Sequence, residues 1–294
     1  MTKRRITRRE ALTAAAGTGL LLSPAFKALA AEPKRLFQIA ACDWSIGQRG
    51  KIAAMETAKE IGLDGVEVSF GPPGEESDLR KEEVRRAYLA AGEKHGVKIA
   101  SLAMGVLNRV PYASDPNAEQ WVRECVEVMP KLDQKVVLLA FFSKGDIKGK
   151  PDLQAEVIRR LKRVAPAAEE AGVVLGVESW LDADDHMRLL DAVASPAVKV
   201  YYDVANMENQ GYDVYREIRR LGSDRICQIH CKENGFLLGK GRIDFVKVRE
   251  AIDDIGWSGW LVIEGAVGRG MKMFDCYVKN QKYLRSLFPT RAST

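Results

Sequence analysis

The chain has 294 residues, of which 46% are hydrophobic and 29% are charged, a composition typical of one large globular domain or two small ones. Its formal net charge of +5 lies entirely in residues 1–30, which hold six Lys and Arg residues against one Glu, so the rest of the chain is neutral. A neutral body gives no electrostatic basis for binding nucleic acid, and we expect no such partner.

The basic start of the chain is typical of an export signal. Arg8 and Arg9 form a twin-arginine pair ahead of a weakly apolar run, and "ALA" at 28–30 has the small residues that a signal peptidase requires. The run is too short to anchor the protein in a bilayer. We therefore expect a twin-arginine signal peptide at 1–30, a short linker at 31–35, and a mature bacterial protein without a membrane span that is periplasmic or secreted.

Short apolar runs alternate with amphipathic segments from residue 36 onward. Eight runs with β-branched residues are predicted as strands, and they read LFQIAACDW, GVEVSF, VKIASLAMG, KVVLLAFF, VVLGVES, VKVYYDVAN, ICQIHCKE and GWLVIEG. Nearly continuous apolarity is expected of parallel strands that are buried on both faces. Eight strand–helix units over about 250 residues predict an α/β fold, a (β/α)₈ TIM barrel, as a single domain at 36–294.

A doubly wound open sheet is the alternative fold for such alternation. That fold usually carries a glycine-rich phosphate loop after its first strand. The corresponding turn here reads CDWSIGQRG, which contains neither GxGxxG nor GxxxxGK. The sequence therefore favours the barrel.

Four polar residues fall at the predicted ends of strands five to eight, and they are Glu178, Asp203, His230 and Glu264. Their spacings of 25, 27 and 34 residues each match about one strand–helix unit, so their side chains should converge at the end of the barrel where chemistry occurs. Three carboxylates without a cation would repel one another. We therefore expect one divalent metal ion, Mn²⁺, Mg²⁺ or Co²⁺, with Zn²⁺ less well matched. A hydrogen-bonded polar rim without metal is the alternative.

The other two histidines of the chain, His95 and His186, lie in predicted helices. We expect both at the protein surface.

Four motifs resemble the sugar phosphate isomerase/epimerase family, the xylose-isomerase-like barrels. They are GVES, YYDVAN, IHCKEN followed by LGKGRIDF, and VIEG, and the resemblance covers about residues 36–288. It implies one divalent metal ion bound by Glu178, Asp203, His230 and Glu264. It also implies that Glu178 and Glu264 act as the catalytic acid/base pair, as the matching glutamates do in the ketose 3-epimerases of the family.

The chain departs from those ketose 3-epimerases at three positions that contact substrate in them. Asn206 stands where they have a His, Phe236 where they have an Arg, and Asp184 where they have a Glu. The resemblance therefore indicates the metal centre more directly than it indicates the substrate or the reaction.

Further residues at or just past strand ends are candidates for substrate binding, because aromatic faces suit the C–H faces of sugars and a few polar groups fix orientation. The candidates are Trp44, Phe70, Met104, Trp180, Asn206, Lys232 and Glu233. Rim packing is the alternative for the apolar ones, and a solvated loop pair is the alternative for Lys232 and Glu233.

These features predict a divalent-metal-dependent isomerase or epimerase that acts on a small-molecule carbohydrate through an enediolate. The alternative is a metal-dependent lyase or hydrolase of 3-keto-glycosides, and a non-catalytic exported sugar binder comes third. A DNA-repair endonuclease on the same barrel would need a histidine-rich trinuclear zinc site, which a chain with three histidines cannot supply. A homo-oligomer is left open.

Overall fold

The computed structural model describes residues 36–289. The predicted export signal and linker lie outside the described residues and stay predictions. None of the helices within 36–289 combines the length and apolarity that crossing a lipid bilayer requires.

Eight parallel strands close into a barrel in which each strand pairs with its sequence neighbours and β1 pairs with β8. The strands are β1 (Gln38–Cys42), β2 (Gly65–Ser69), β3 (Lys98–Met104), β4 (Val136–Phe141), β5 (Val174–Ser179), β6 (Val198–Asp203), β7 (Ile226–Lys232) and β8 (Trp260–Glu264). The predicted (β/α)₈ barrel is confirmed.

Helices follow every strand and surround the barrel. They are α1 (Ala54–Ile61), α2 (Glu82–His95), α3 (Pro116–Val128), α4 (Pro151–Glu170), α5 (Ala183–Val193), α6 (Val204–Asn209), α7 (Val214–Leu221), α8 (Phe245–Asp254) and α9 (Met273–Leu287). Strand β6 ends at Asp203, as predicted, and α6 begins at the next residue. The side chain of Asp203 accepts the backbone N–H groups of Ala205 and Asn206, and this N-cap starts a helix directly after the strand.

Side chains of each strand alternate between two layers of the core. In β1, Ile39 and Ala41 pack outward in the core beneath the helices, whereas Ala40 and Cys42 pack inside the barrel with Ala100. Small residues inside the barrel leave room for larger polar side chains near the carboxyl ends of the strands. Polar side chains lie inside the barrel from its middle, at Glu67, Ser101 and Gln228, to the carboxyl ends of the strands.

Candidate metal centre and substrate cavity

The four predicted metal ligands meet at the carboxyl ends of β5 to β8. Asp203 and Glu264 are the last residues of their strands, Glu178 is the penultimate residue of β5, and His230 lies two residues before the end of β7. One nitrogen or oxygen atom from each side chain lies within 4.8 Å of the others. Four such donors at this separation can surround one cation.

Strand register explains why these side chains share one space. Asp203 lies opposite His230 in the β6–β7 ladder, and Lys232 lies opposite Glu264 in the β7–β8 ladder. The β6–β7 register shifts by one residue near Cys227. Beyond this bulge, His230 and Lys232 are two residues apart and so point to the same face, the barrel interior.

The two carboxylate oxygens of Asp203 have different roles: one caps a helix, and the other accepts no hydrogen bond from the described residues. Oδ1 caps α6 through bonds of 2.8 Å to two backbone N–H groups. Oδ2 is buried and has no hydrogen-bond partner among the described residues, although Lys232 Nζ lies 3.4 Å away. Burial alone would raise the pKa of Asp203, but Lys232 and His230 outweigh burial and lower it. A buried, ionised oxygen without a hydrogen-bond donor is suited to a hard divalent cation.

His230 is fully buried among three carboxylates, Glu67, Glu178 and Glu264. Its Nδ1 lies 3.0 Å from Glu178 Oε1 and 3.5 Å from Glu264 Oε2, and its Nε2 lies 3.0 Å from Glu67 Oε1. Burial raises the pKa of Glu178 to about 7, while the adjacent His230 acts in the opposite direction. Nδ1 is thus the nitrogen that faces the carboxylate cluster.

Lys232 and Asn206 complete the polar side of the centre. Lys232 Nζ donates to Glu264 Oε2 at 2.8 Å and to Asn206 Oδ1 at 3.3 Å, and Asn206 Nδ2 lies 3.5 Å from Glu178 Oε1. Burial opposes the charge of Lys232, but Asp203, Glu264 and Glu178 outweigh burial and raise its pKa. The ammonium group therefore stays charged and offsets part of the carboxylate repulsion.

A cavity of about 360 Å³ opens directly beside this cluster, a volume suited to a small ligand. Of the predicted substrate-binding residues, it is lined by Trp44, Trp180, Asn206 and Lys232, together with Glu178 and Glu264. The Trp44 indole N–H donates to Glu264 Oε1 at 2.9 Å. The Phe142 and Trp180 rings lie 5.3 Å apart on the opposite wall.

A larger cavity of about 770 Å³ lies at the other end of the barrel. Its walls include Lys98, Val136 and Trp260, the first residues of β3, β4 and β8. None of the candidate ligands lines it. The polar groups that converge, as ligand sites require, lie beside the smaller cavity instead.

Three predicted substrate-binding residues do not line the smaller cavity. Phe70 is buried in the core, with the Arg80 guanidinium 4.3 Å from its ring centre. Met104 is fully buried in the same outer core. Glu233 turns away and accepts the backbone N–H of Arg242 at 2.9 Å, so it holds the loop after β7.

The expectation that His186 lies at the surface is also wrong. It is 1% exposed, and its Nε2 lies 2.9 Å from Ser179 Oγ. His95 is only half-buried, at the end of α2. Of the departures from the ketose 3-epimerases, Asn206 lines the cavity, whereas Asp184 pairs with Arg220 outside it and Phe236 is 43% exposed.

Sequence reasoning missed several residues of the site. Arg49, Ser69, Asn108 and Phe142 line the cavity from the β1, β2, β3 and β4 side, and nothing in their local sequence pattern distinguished them. Glu67, beneath His230, had a visible signal, because it is a charged residue inside the apolar run GVEVSF.

Comparison with known proteins agrees with this architecture. The sequence model of the family described as "Xylose isomerase-like TIM barrel" matches residues 55–286. A putative L-ribulose-5-phosphate 3-epimerase, SgbU of Escherichia coli (strain K12), is 27% identical over 235 residues, which cover 70% of this chain and 80% of that protein. A 2-epi-5-epi-valiolone 7-phosphate 2-epimerase of Actinoplanes sp. is 26% identical over 199 residues, which cover 65% of this chain and 70% of that protein.

Solved structures give the same fold. The D-psicose 3-epimerase of Clostridium cellulolyticum H10, solved with D-tagatose, superposes with a TM-score of 0.71 at 19% identity, over 85% of this chain and 99% of that one. The family match extends from α1 to α9 and so includes most of the barrel and all four candidate ligands. The chain belongs to the xylose isomerase-like TIM barrel family.

Proposed function

We propose that this protein is an isomerase or epimerase of a sugar or sugar derivative that depends on one divalent cation. The observation that carries the proposal is the convergence of Glu178, Asp203, His230 and Glu264 beside a cavity of about 360 Å³. The two relatives described above are both named as epimerases, and this supports an enzyme of the sugar isomerase/epimerase type.

The donor set fits a hard divalent cation such as Mn²⁺, Mg²⁺ or Co²⁺. It offers three carboxylates and one imidazole nitrogen, and it includes the buried Asp203 Oδ2 that has no hydrogen-bond partner among the described residues. A bound cation would withdraw electron density from substrate oxygens and so stabilise the negative charge that develops on them.

Glu178 and Glu264 are the proposed proton-transfer pair. They lie at the carboxyl ends of β5 and β8, three strands apart around the barrel, so they can approach a sugar from two sides. Each is held by neighbours, Glu178 by His230 and Asn206, and Glu264 by Trp44 and Lys232. One carboxylate removes the proton next to the carbonyl to give an enediolate, and the other returns a proton to the opposite face.

The remaining cavity residues orient the sugar. Trp44 and Trp180 provide apolar faces on two walls, against which the C–H groups of a sugar can pack. Lys232 and Asn206 present an ammonium and an amide to substrate oxygens at the edge of the carboxylate cluster. Asp203 and His230 hold the cation and take no part in proton transfer.

Turnover in D₂O tests the proposal. Chelated and Mn²⁺-loaded protein are incubated with free ketoses, their phosphates and a 3-keto-glycoside, and the products are analysed by NMR and mass spectrometry. We expect deuterium on the inverted carbon of a ketose, only in the loaded protein. Release of the substituent from the 3-keto-glycoside, with deuterium next to the ketone, would instead favour a lyase. Ketose turnover that puts no deuterium on carbon would contradict the proposed removal and return of a proton by the two carboxylates.

A further inference from the structure

Glu67 is a carboxylate buried inside the barrel, beneath the candidate metal centre. It lies in the middle of β2 and is 0% exposed. Among the described residues, no Lys or Arg forms an ion pair with Glu67, and its ion-pair partner is His230. Burying a carboxylate is costly unless hydrogen bonds satisfy it, so its neighbours should explain its presence.

Hydroxyl groups anchor one oxygen of Glu67. Ser101 Oγ donates to Oε2 at 2.6 Å, and Tyr201 OH donates to the same oxygen at 2.7 Å. The Gln228 side-chain amide donates to Ser101 Oγ at 3.0 Å, which leaves the Ser101 hydroxyl hydrogen for Glu67. This chain of donors fixes the carboxylate and directs its second oxygen, Oε1, at His230 Nε2, 3.0 Å away.

The contact between Glu67 and His230 determines which ring nitrogen carries a proton. An ionised carboxylate only accepts hydrogen bonds, so Nε2 must donate to Glu67. Nδ1 lies equally close to Glu178 Oε1, at 3.0 Å, so the two nitrogens differ only once a cation replaces the Nδ1 proton: the ring then keeps its proton on Nε2 and its lone pair lies on Nδ1. A cation at the candidate metal centre requires that lone pair.

We propose that Glu67 is a positioning residue that holds His230 in the Nε2-protonated tautomer and so sets the affinity for the divalent cation. This inference rests on the proposed metal dependence. Partners of this kind behind a metal-ligating histidine change metal affinity by about 10- to 100-fold when they are removed.

A second metal ion between Cys42, Glu67 and His230 is the competing interpretation, because their donor atoms also lie within 4.8 Å of one another. The hydrogen bonds argue against it. Glu67 Oε2 already accepts two hydroxyls, and the Cys42 thiol lies 3.5 Å from Oε1, where it can donate as a neutral group. A cation there would bind Oε1, and it would have to displace the Cys42 thiol proton and take His230 Nε2 from Glu67.

The first test measures Mn²⁺ binding to chelated protein by calorimetry. Glu67→Gln keeps the shape of the side chain and removes its charge, and Cys42→Ser removes the sulfur ligand of the competing site, where Sγ lies 3.4 Å from His230 Nε2. We expect one Mn²⁺ per chain in wild type, a Kd raised by about 10- to 100-fold in Glu67→Gln, and a change within about threefold in Cys42→Ser. An unchanged Kd in folded Glu67→Gln overturns the proposal, as does a stoichiometry of two that Cys42→Ser reduces to one.

The second test needs no variant, so it tests the His230 tautomer even if Glu67→Gln does not fold. Wild type with ¹⁵N-labelled histidine is titrated with Zn²⁺, which is diamagnetic, and the three histidines of the chain make assignment of the imidazole signals simple. We expect His230 to be protonated at Nε2 and metal-bound at Nδ1. A metal-bound Nε2 overturns the proposal.

The two tests separate this inference from the proposed function. If Mn²⁺ binds once and Glu67→Gln weakens it, but no ketose incorporates deuterium, the inference stands and the proposed reaction fails. If deuterium exchange occurs and Glu67→Gln binds Mn²⁺ as wild type does, the inference alone fails. Absence of metal binding to wild type overturns both the inference and the proposed metal dependence.

Discussion

Two buried histidines of this protein lie in opposite surroundings. His230 is inside the barrel, where the negative charges of Glu178 and Glu67 outweigh burial and raise its pKa. His186 is on α5, where burial lowers its pKa to about 4 and Nδ1 has no hydrogen-bond partner among the described residues. Burial is common to both, so the charge of the neighbours distinguishes a candidate ligand from a structural histidine.

The strongest expected effect concerns the carboxylates next to His230. Glu178→Gln and Glu264→Gln should each lower turnover by about 10³-fold or more, because a neutral amide cannot take a proton from carbon. Both variants should retain some Mn²⁺ binding, since the other donors remain. Steady-state kinetics and calorimetry on the same preparations measure the two effects.

Asp184→Asn is the matched control for these variants. Asp184 is an exposed carboxylate that pairs with Arg220 at 2.9 Å and does not line the cavity. We expect its turnover to stay within about twofold of wild type, because exposed ion pairs contribute little. Full activity in Glu178→Gln or Glu264→Gln would refute their assignment as the proton-transfer pair.

The next effect is stabilisation by the cation. A ligand that binds only the native state adds about 2.7 kcal/mol at ~100 times its Kd. For a domain of this size, that corresponds to a rise in Tm of roughly 5–10 °C. Chelation should remove this increment from wild type. It should have little effect on Asp203→Asn, which loses the charge of Oδ2 while an Asn can still cap α6.

A control variant sharpens the comparison of the two histidines. His186→Gln should keep the full cation-dependent rise in Tm, because His186 contacts Ser179 and none of the four candidate ligands. Thermal melts with and without chelator measure the increment in each protein. An equal chelator effect in wild type and Asp203→Asn would place the cation elsewhere.

The barrel could be predicted from sequence because its signal is repeated eight times and depends only on apolarity and segment length. The four candidate ligands could be located because strand ends of a parallel barrel meet at one edge. The residues that line the cavity were harder to predict from sequence. Ser69 and Gly105 line the cavity, whereas their neighbours Phe70 and Met104 lie in the core. Successive strand residues face opposite sides, so an error of one residue exchanges cavity for core.

The burial of His186 could have been predicted from its position in the helix, although a histidine is more often expected at the surface. The buried positions of α5 include Ala183, His186, Leu189 and Val193, which recur every three or four residues along one face. Position on the apolar face was therefore a better guide than residue type. Glu67 is the strand equivalent, since its place in an apolar run indicated a buried carboxylate but not its partners.

The smallest expected effect is the pH dependence that His186 adds to stability. Its pKa is about 4 when folded, because burial disfavours the charged ring and outweighs the nearby Asp182. The unfolded value is about 6.5. The unfolded state thus binds the proton more tightly, so stability is complete above about pH 6.5 and falls as the pH decreases toward 4.

Unfolding by urea at pH 7 and pH 5, with chelator present throughout, measures this contribution. At 1.36 kcal/mol per pKa unit, the His186 term should lower the free energy of unfolding of wild type by about 2 kcal/mol between these pH values. His186→Gln cannot titrate and should lack that loss, while the carboxylates of the metal centre contribute equally to both proteins. The difference between the two proteins therefore isolates His186. Equal pH dependence in wild type and His186→Gln would show that the ring takes up its proton without leaving the folded core.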